Sequence, residues 1–120
     1  MPVEVHFEEP ALFVMRAYGA VTVDEVRDAI GEWLGDSRLG PGAAIYIDNR
    51  EVTSQRTVAE IAVITAEFGK LFARGAKSVA VVTDAELVAS QVFASFASTV
   101  GGDVRVFRDP AKAREWLAPT

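Results

Sequence analysis

The spacing of apolar residues changes along this chain, and each change marks a new element. Val3-Glu4-Val5-His6-Phe7-Glu8 alternates with period two, the pattern of a half-buried strand. Glu9-Pro10 breaks it, Leu12 to Tyr18 is a second β-rich run, and Gly19 ends that run. So short a gap predicts an antiparallel hairpin. The spacing then turns helical: Val26, Ile30, Trp33 and Leu34 fall on one face, which predicts a helix from about Val23 to Leu34. Gly35 and Gly40-Pro41-Gly42 mark its exit loop.

The rest of the chain repeats strand and helix in turn. Ala43 to Ile47 is a short apolar run read as a strand ending at Asp48, with a loop from Asn49 to Arg56. Ile61, Ile64, Phe68, Leu71 and Phe72 form the next helical stripe. Lys70 and Arg74 lie near its C-terminus, where the helix dipole favours cations, and Gly75 suits the position just beyond. Ser78 to Val82 is another strand. The helix predicted over Leu87 to Val100 is rich in Ala and Ser and is stopped by Gly101-Gly102. Val104 to Phe107 is the last strand. Asp109-Pro110 supplies a cap and a first-turn proline for a short helix carrying Ala113, Trp116 and Leu117.

Three segments explain where helices start. Thr22-Val23-Asp24-Glu25, Thr57-Val58-Ala59-Glu60 and Thr83-Asp84-Ala85-Glu86 each place Thr three residues before Glu. The Thr oxygen accepts a bond from an otherwise unpaired N–H, and the Glu reaches back to the Thr backbone. The predicted order is therefore ββαβαβαβα: an α/β domain with an N-terminal hairpin and a mixed, mostly parallel sheet of about five strands. A strand buried on both faces reads as a continuous apolar run. Here Glu4, His6 and Glu8 share a face, Arg16 and Tyr18 share a face, and Arg105 lies between Val104 and Val106. This pattern predicts helices mainly on one side of the sheet, with the other side wet or packed on a partner.

Composition narrows the function classes. At 120 residues, half of them apolar, residues 1–120 are read as a single domain. Twelve basic and seventeen acidic residues give a net charge of −5, and the basic residues are scattered singly. Nucleic acid is therefore not an expected partner, because phosphate neutralisation needs a basic surface. The absence of cysteine removes disulfides, thiolate catalysis and Cys-ligated metals. No signal peptide or stretch able to span a bilayer is read, so the expectation is a cytoplasmic protein without a membrane span.

Few residues carry chemistry. A Ser-His-Asp triad would have to use His6, which sits among glutamates on an alternating strand, as an ordinary solvent-facing residue does. Asp48 at a strand end is a better candidate, since ligands of open α/β sheets bind there, although a turn residue bonding backbone N–H groups reads the same way. Asp84 is similar. The two acids together suggest a Mg²⁺ pair, but no Gly-rich loop accompanies them. In the Leu87–Val100 helix, Phe93 and Phe96 either pack on the sheet or line an apolar pocket or dimer contact, with Phe68 and Phe72 facing them from the preceding helix. No cofactor and no metal site are expected, and the reading is non-enzymatic.

Three segments carry a family resemblance: Ala44-Ile45-Tyr46-Ile47-Asp48 with Val52 four residues later, Ser78-Val79-Ala80-Val81-Val82 leading into a helix, and Val104 to Asp109 followed by Ala113 and Trp116-Leu117. With these the chain resembles the SpoIIAA-like group of STAS-related domains, bacterial proteins similar to anti-sigma-factor antagonists. The resemblance implies a STAS-like α/β sandwich. In true antagonists a Ser at the start of the helix after the Asp-ended strand is phosphorylated. By spacing, that position is Thr57, without the Asp and Gly that flank the antagonists' Ser, and with Thr53 and Ser54 as neighbouring hydroxyls. Some such domains are likened to lipid-binding SEC14 domains. Two roles follow. One is a protein-interaction or regulatory module, with another protein or a second copy of itself as partner, contacting it through Asp48, Arg50, Gln55, Arg56 and Thr57. The other is a carrier or sensor of a small apolar ligand beside Phe68, Phe72, Phe93 and Phe96.

Overall fold

The hairpin forms as the alternation requires. β1 (Val3–Glu8) and β2 (Leu12–Gly19) pair antiparallel from Val3↔Ala17 to Glu8↔Leu12. This is a computed structural model, and it describes residues 3–84 and 87–118. The remaining elements are α1 (Val23–Leu34), β3 (Ala44–Val52), α2 (Val58–Ala73), β4 (Ser78–Val82), α3 (Leu87–Ser98), β5 (Asp103–Phe107) and α4 (Pro110–Leu117).

Two of the Thr-x-x-Glu segments close as full boxes. Thr22 Oγ1 accepts from Glu25 N at 3.2 Å while Glu25 Oε1 accepts from Thr22 N at 2.9 Å. Thr57 and Glu60 repeat this at 3.1 and 2.9 Å. Of the third segment, Ala85 and Glu86 lie outside the described residues, and Thr83 is buried. Asp109 caps α4 by accepting from Ala111 N at 2.9 Å, with Pro110 at the first helical position.

The strands lie side by side in chain order, β1-β2-β3-β4-β5, and β2 through β5 are parallel. Each new strand is added on the same side of the last. Right-handed crossovers then put α1, α2 and α3 on one face. Ile45, Val79, Val81, Phe13 and Met15 point into that layer and meet Ile30 and Trp33 of α1, Phe68 and Leu71 of α2, and Phe93 and Ala97 of α3. After β5 there is no further strand to reach, and α4 folds onto the opposite face. There Ala113, Trp116 and Leu117 pack with Val14, Tyr46, Ala80 and Val82 in a smaller second core. The polar positions on that face remain outside this core. Glu4 and Arg16 stay exposed and paired to each other.

Two boundaries differ from the sequence reading by more than one residue. α3 ends at Ser98, and the chain leaves it through a turn in which Gly101 takes φ +92 and Gly102 N donates to Ala97 O. The larger correction concerns β3, which continues to Val52 where the sequence predicts a loop from Asn49. Asn49 and Arg50, expected on a loop, are therefore strand residues, and Asp48, expected at the strand's end, lies within it. The cause is β2, which is longer than β4. β4 stops at Val82 opposite Asp48, but β2 continues to Gly19 and keeps pairing with β3 through Tyr18↔Glu51 and Gly19↔Val52.

Candidate functional site

Pairing between β2 and β3 shifts register between Arg16 and Tyr18. Arg16 to Tyr18 is two steps, and their partners Asp48 to Glu51 are three. β3 thus carries one extra residue, a bulge, and a bulge reverses which side chains face which side. Regular alternation from Ile47 would turn Asn49 and then Glu51 toward the helices. With the extra residue, Asn49 and Val52 line the helix side while Glu51 meets the Arg16 guanidinium. The bulge keeps a carboxylate out of the helix-side layer and puts an apolar side chain there.

What it borders is a cavity of about 80 Å³ at the C-terminal ends of β2, β3 and β4. Its floor is Met15, Ala17, Ile47 and Val81 from the sheet. Its walls are Val26 of α1, Ile61, Ile64 and Phe68 of α2, and Ala89 and Phe93 of α3. Phe68 and Phe93 meet edge to face, 5.1 Å between centroids. Four polar side chains also border it: Asn49, Ser54, Arg56 and Ser90. The segment after β3 is pinned beside it. Ser54 Oγ accepts from Val21 N at 3.1 Å and donates to Val21 O at 3.4 Å, and Arg56 Nη1 donates to the same carbonyl at 3.3 Å.

The sequence candidates are divided by this geometry. Phe68 and Phe93 line the cavity. Phe72 and Phe96 do not: Phe72 is buried deeper in the core and Phe96 is half-buried. Arg56 borders the cavity, and Gln55 is exposed. Asp48 and Arg50 pair with each other: Arg50 Nη2 donates to Asp48 Oδ2 at 2.7 Å, and Arg50 Nε and N both donate to Oδ1. These bonds hold the Asp48 carboxyl below its ordinary range against the opposing effect of burial. Both oxygens accept from Arg50. Thr57 is exposed and its hydroxyl caps α2. Ser54 is tied to Val21. Among the described residues no three His, Asp or Glu side chains gather as a metal site would require. Asn49 and Ser90 are the polar cavity-facing residues that sequence reasoning does not single out.

His6 sits at the other end of the sheet, exposed, with Nε2 2.9 Å from Glu8 Oε2. Arg114 of α4 donates to both Glu8 oxygens, at 2.8 and 3.3 Å. These bonds, Arg114 first and His6 second, lower the Glu8 carboxyl from 4.5 to about 2. A folded-state value below the unfolded one stabilises the fold above pH 4.5, and the effect is lost as pH falls toward 2. Glu8 is over a third exposed, so solvent screening leaves it less than about 1 kcal/mol. Glu8→Gln is expected to lower stability by that small amount at pH 7 and to flatten the acid limb below pH 4.5. Urea unfolding at neutral and acid pH checks this, and an unchanged acid limb would refute it.

Comparison with known proteins bears on this fold as a whole. The SpoIIAA-like family model matches residues 12–118. The chain belongs to the SpoIIAA-like family. Among solved structures, an uncharacterised protein from Shewanella loihica PV-4, of the DUF3478 family and with a SpoIIAA-like fold, is similar over 97% of this chain and 92% of that one. The TM-score is 0.65 at 21% identity, which establishes a shared fold. No curated protein matches the chain. In this SpoIIAA-like domain no helix among the described residues is long and apolar enough to cross a membrane. The family carries the fold, and the cavity and its borders are left to indicate function.

Proposed function

We propose that this SpoIIAA-like domain binds a small molecule with an apolar body, as a carrier or sensor and without transforming it. The observation behind this reading is the cavity of about 80 Å³ between Phe68, Phe93 and the sheet. It lies where open α/β sheets take ligands, beyond the carboxyl ends of parallel strands. Well-packed cores leave few voids larger than a water molecule. This one has room for a few waters of about 30 Å³ each, yet its floor and walls are apolar. Sensing follows from its border. Asn49, Val52, Ser54 and Arg56 belong to the stretch leading to exposed Thr57, so an occupant would press on a segment that a partner could touch.

The test is an NMR titration of the ¹⁵N-labelled protein with 1-hexanol. Amide shifts confined to Met15, Val52, Ile61, Ala89, Phe93 and their neighbours are expected. Shifts scattered over the surface, or none at millimolar concentration, would overturn the reading.

A second observation favours a protein partner. Val58 and Val63 on the outer side of α2 are 62% and 42% exposed, and Val100 after α3 is 46% exposed. Ala59, Ala62 and Ala66 are exposed beside them. Such a face suits contact with a protein, including a second copy of the chain. Sedimentation equilibrium of wild type and Val63→Lys tests the homodimer: a dimer that the lysine dissociates supports it, and a monomeric wild type removes it.

A further inference from the structure

One side of the cavity is built unlike its floor and helical walls. Ile47, Ile61, Phe68, Val81 and Phe93 are buried, so moving any of them away would expose apolar surface to water. Residues 53–57 form instead a strap that belongs to neither strand nor helix. It runs from the last strand bond, Thr53 N to Gly19 O at 2.9 Å, to the Thr57 cap of α2. Thr53, Gln55 and Thr57 are exposed, while Ser54 and Arg56 are half-buried and border the cavity. The inward side chains of the strap are thus polar, and both tie it to one residue. Ser54 Oγ bonds Val21 N and Val21 O, and Arg56 Nη1 bonds Val21 O. Val21 is itself buried, just before the cap of α1.

We propose that this strap is the door of the cavity and that the Ser54–Val21 contact is its latch, released when a ligand enters or leaves. This rests on the ligand-binding reading above. Lifting the strap exchanges its bonds to Val21 for bonds to water, so the net cost per bond is small. Opening an apolar wall has no such replacement. The parts of a fold that open most readily are those held by few buried apolar contacts, and lids of this kind move on the microsecond-to-millisecond scale. The latch bonds Val21 and not the ligand. Weakening it therefore speeds entry and exit alike and leaves affinity nearly unchanged.

Two measurements on the full chain test the door. The first needs no ligand: hydrogen exchange of the Val21 amide, which donates to Ser54. Its rate is expected to be independent of urea below the unfolding transition, the mark of a local opening that exposes little surface. The amides of Ile45 and Val79, in the central strands, should follow global unfolding. A Val21 amide that exchanges only with global unfolding would overturn the door. The second measurement is NMR exchange spectroscopy with 1-hexanol at half saturation. Ser54→Ala is expected to raise the rate constants of binding and of release about tenfold each, with Kd kept within about twofold. Arg56→Gln, which keeps the Ser54 latch, is expected to raise both by a smaller factor, about threefold. Faster release with unchanged binding would make Ser54 a contact of the ligand, and two unchanged rates would mean entry elsewhere. Either result would overturn the door while the apolar site stands. Absence of 1-hexanol binding to wild type would overturn both.

Discussion

Phe72→Ala is expected to lose about 3–5 kcal/mol of folding stability, the usual cost of truncating a buried phenylalanine. A domain of this size has about 5–15 kcal/mol in total. The ring is 2% exposed and packs near Phe68, with centroids 6.3 Å apart. It also lies against Gly102, where a Cβ would lie 2.4 Å from Phe72 Cε2 and 2.5 Å from Cζ. Gly102→Ala therefore has to move a ring held in the core, an overpacking cost of about 1–3 kcal/mol. The two sites share one space, so their effects should not add. Phe72→Leu and Gly102→Ala combined should cost less than the sum of the single changes by about 1 kcal/mol. Urea unfolding of the four proteins measures this, and strict additivity would show that the ring does not need the glycine.

The same pair shows how much of the fold is legible in the sequence. Gly101-Gly102 reads as one stop signal, but the two glycines have different duties. Gly101 turns the chain at φ +92, a conformation written into local chemistry. Gly102 leaves room for a ring thirty residues earlier, which local chemistry cannot reveal. Helix starts are of the first kind: the Thr22 and Thr57 boxes close within four residues and are read directly. The end of β3 is of the second kind. Its length is set by how far β2 extends beside it, and the alternation that would have revealed a strand is broken by the bulge between Asp48 and Glu51.

The cavity was half legible for the same reason. Phe68 and Phe72 both lie on the inward stripe of α2, and Phe93 and Phe96 both fall among the larger residues of α3, so spacing alone treats each pair alike. Position along the helix decides between them. The cavity opens at the carboxyl ends of the strands, beside the first three turns of α2, and Phe68 is the last stripe residue to reach it. Phe72, one turn further, packs toward Gly102 instead. Asn49 faces the cavity only because β3 continues past Asp48, which its local sequence does not show. Ser90 is one of six Ala or Ser residues in its helix, and only its place beside the cavity distinguishes it.

Phe93→Ala should have opposite effects on stability and on ligand choice. The ring is 9% exposed and leans edge-on against Phe68, so its loss costs about 3 kcal/mol, at the low end for phenylalanine because one side already faces a void. The space it leaves is continuous with the cavity. Ligands with longer apolar bodies, excluded by volume from wild type, would then fit. 1-Decanol is expected to bind the variant about tenfold more tightly than 1-hexanol does, the reverse of the wild-type order. At a concentration one hundred times its dissociation constant, it should return about 2.7 kcal/mol of stability, close to what the truncation removed. Thermal unfolding of both proteins across a series of alcohols of increasing length reads both effects. A variant that is destabilised but never recovered by any alcohol would mean that Phe93 closes a packing defect, and the ligand site would have to be sought elsewhere on the domain.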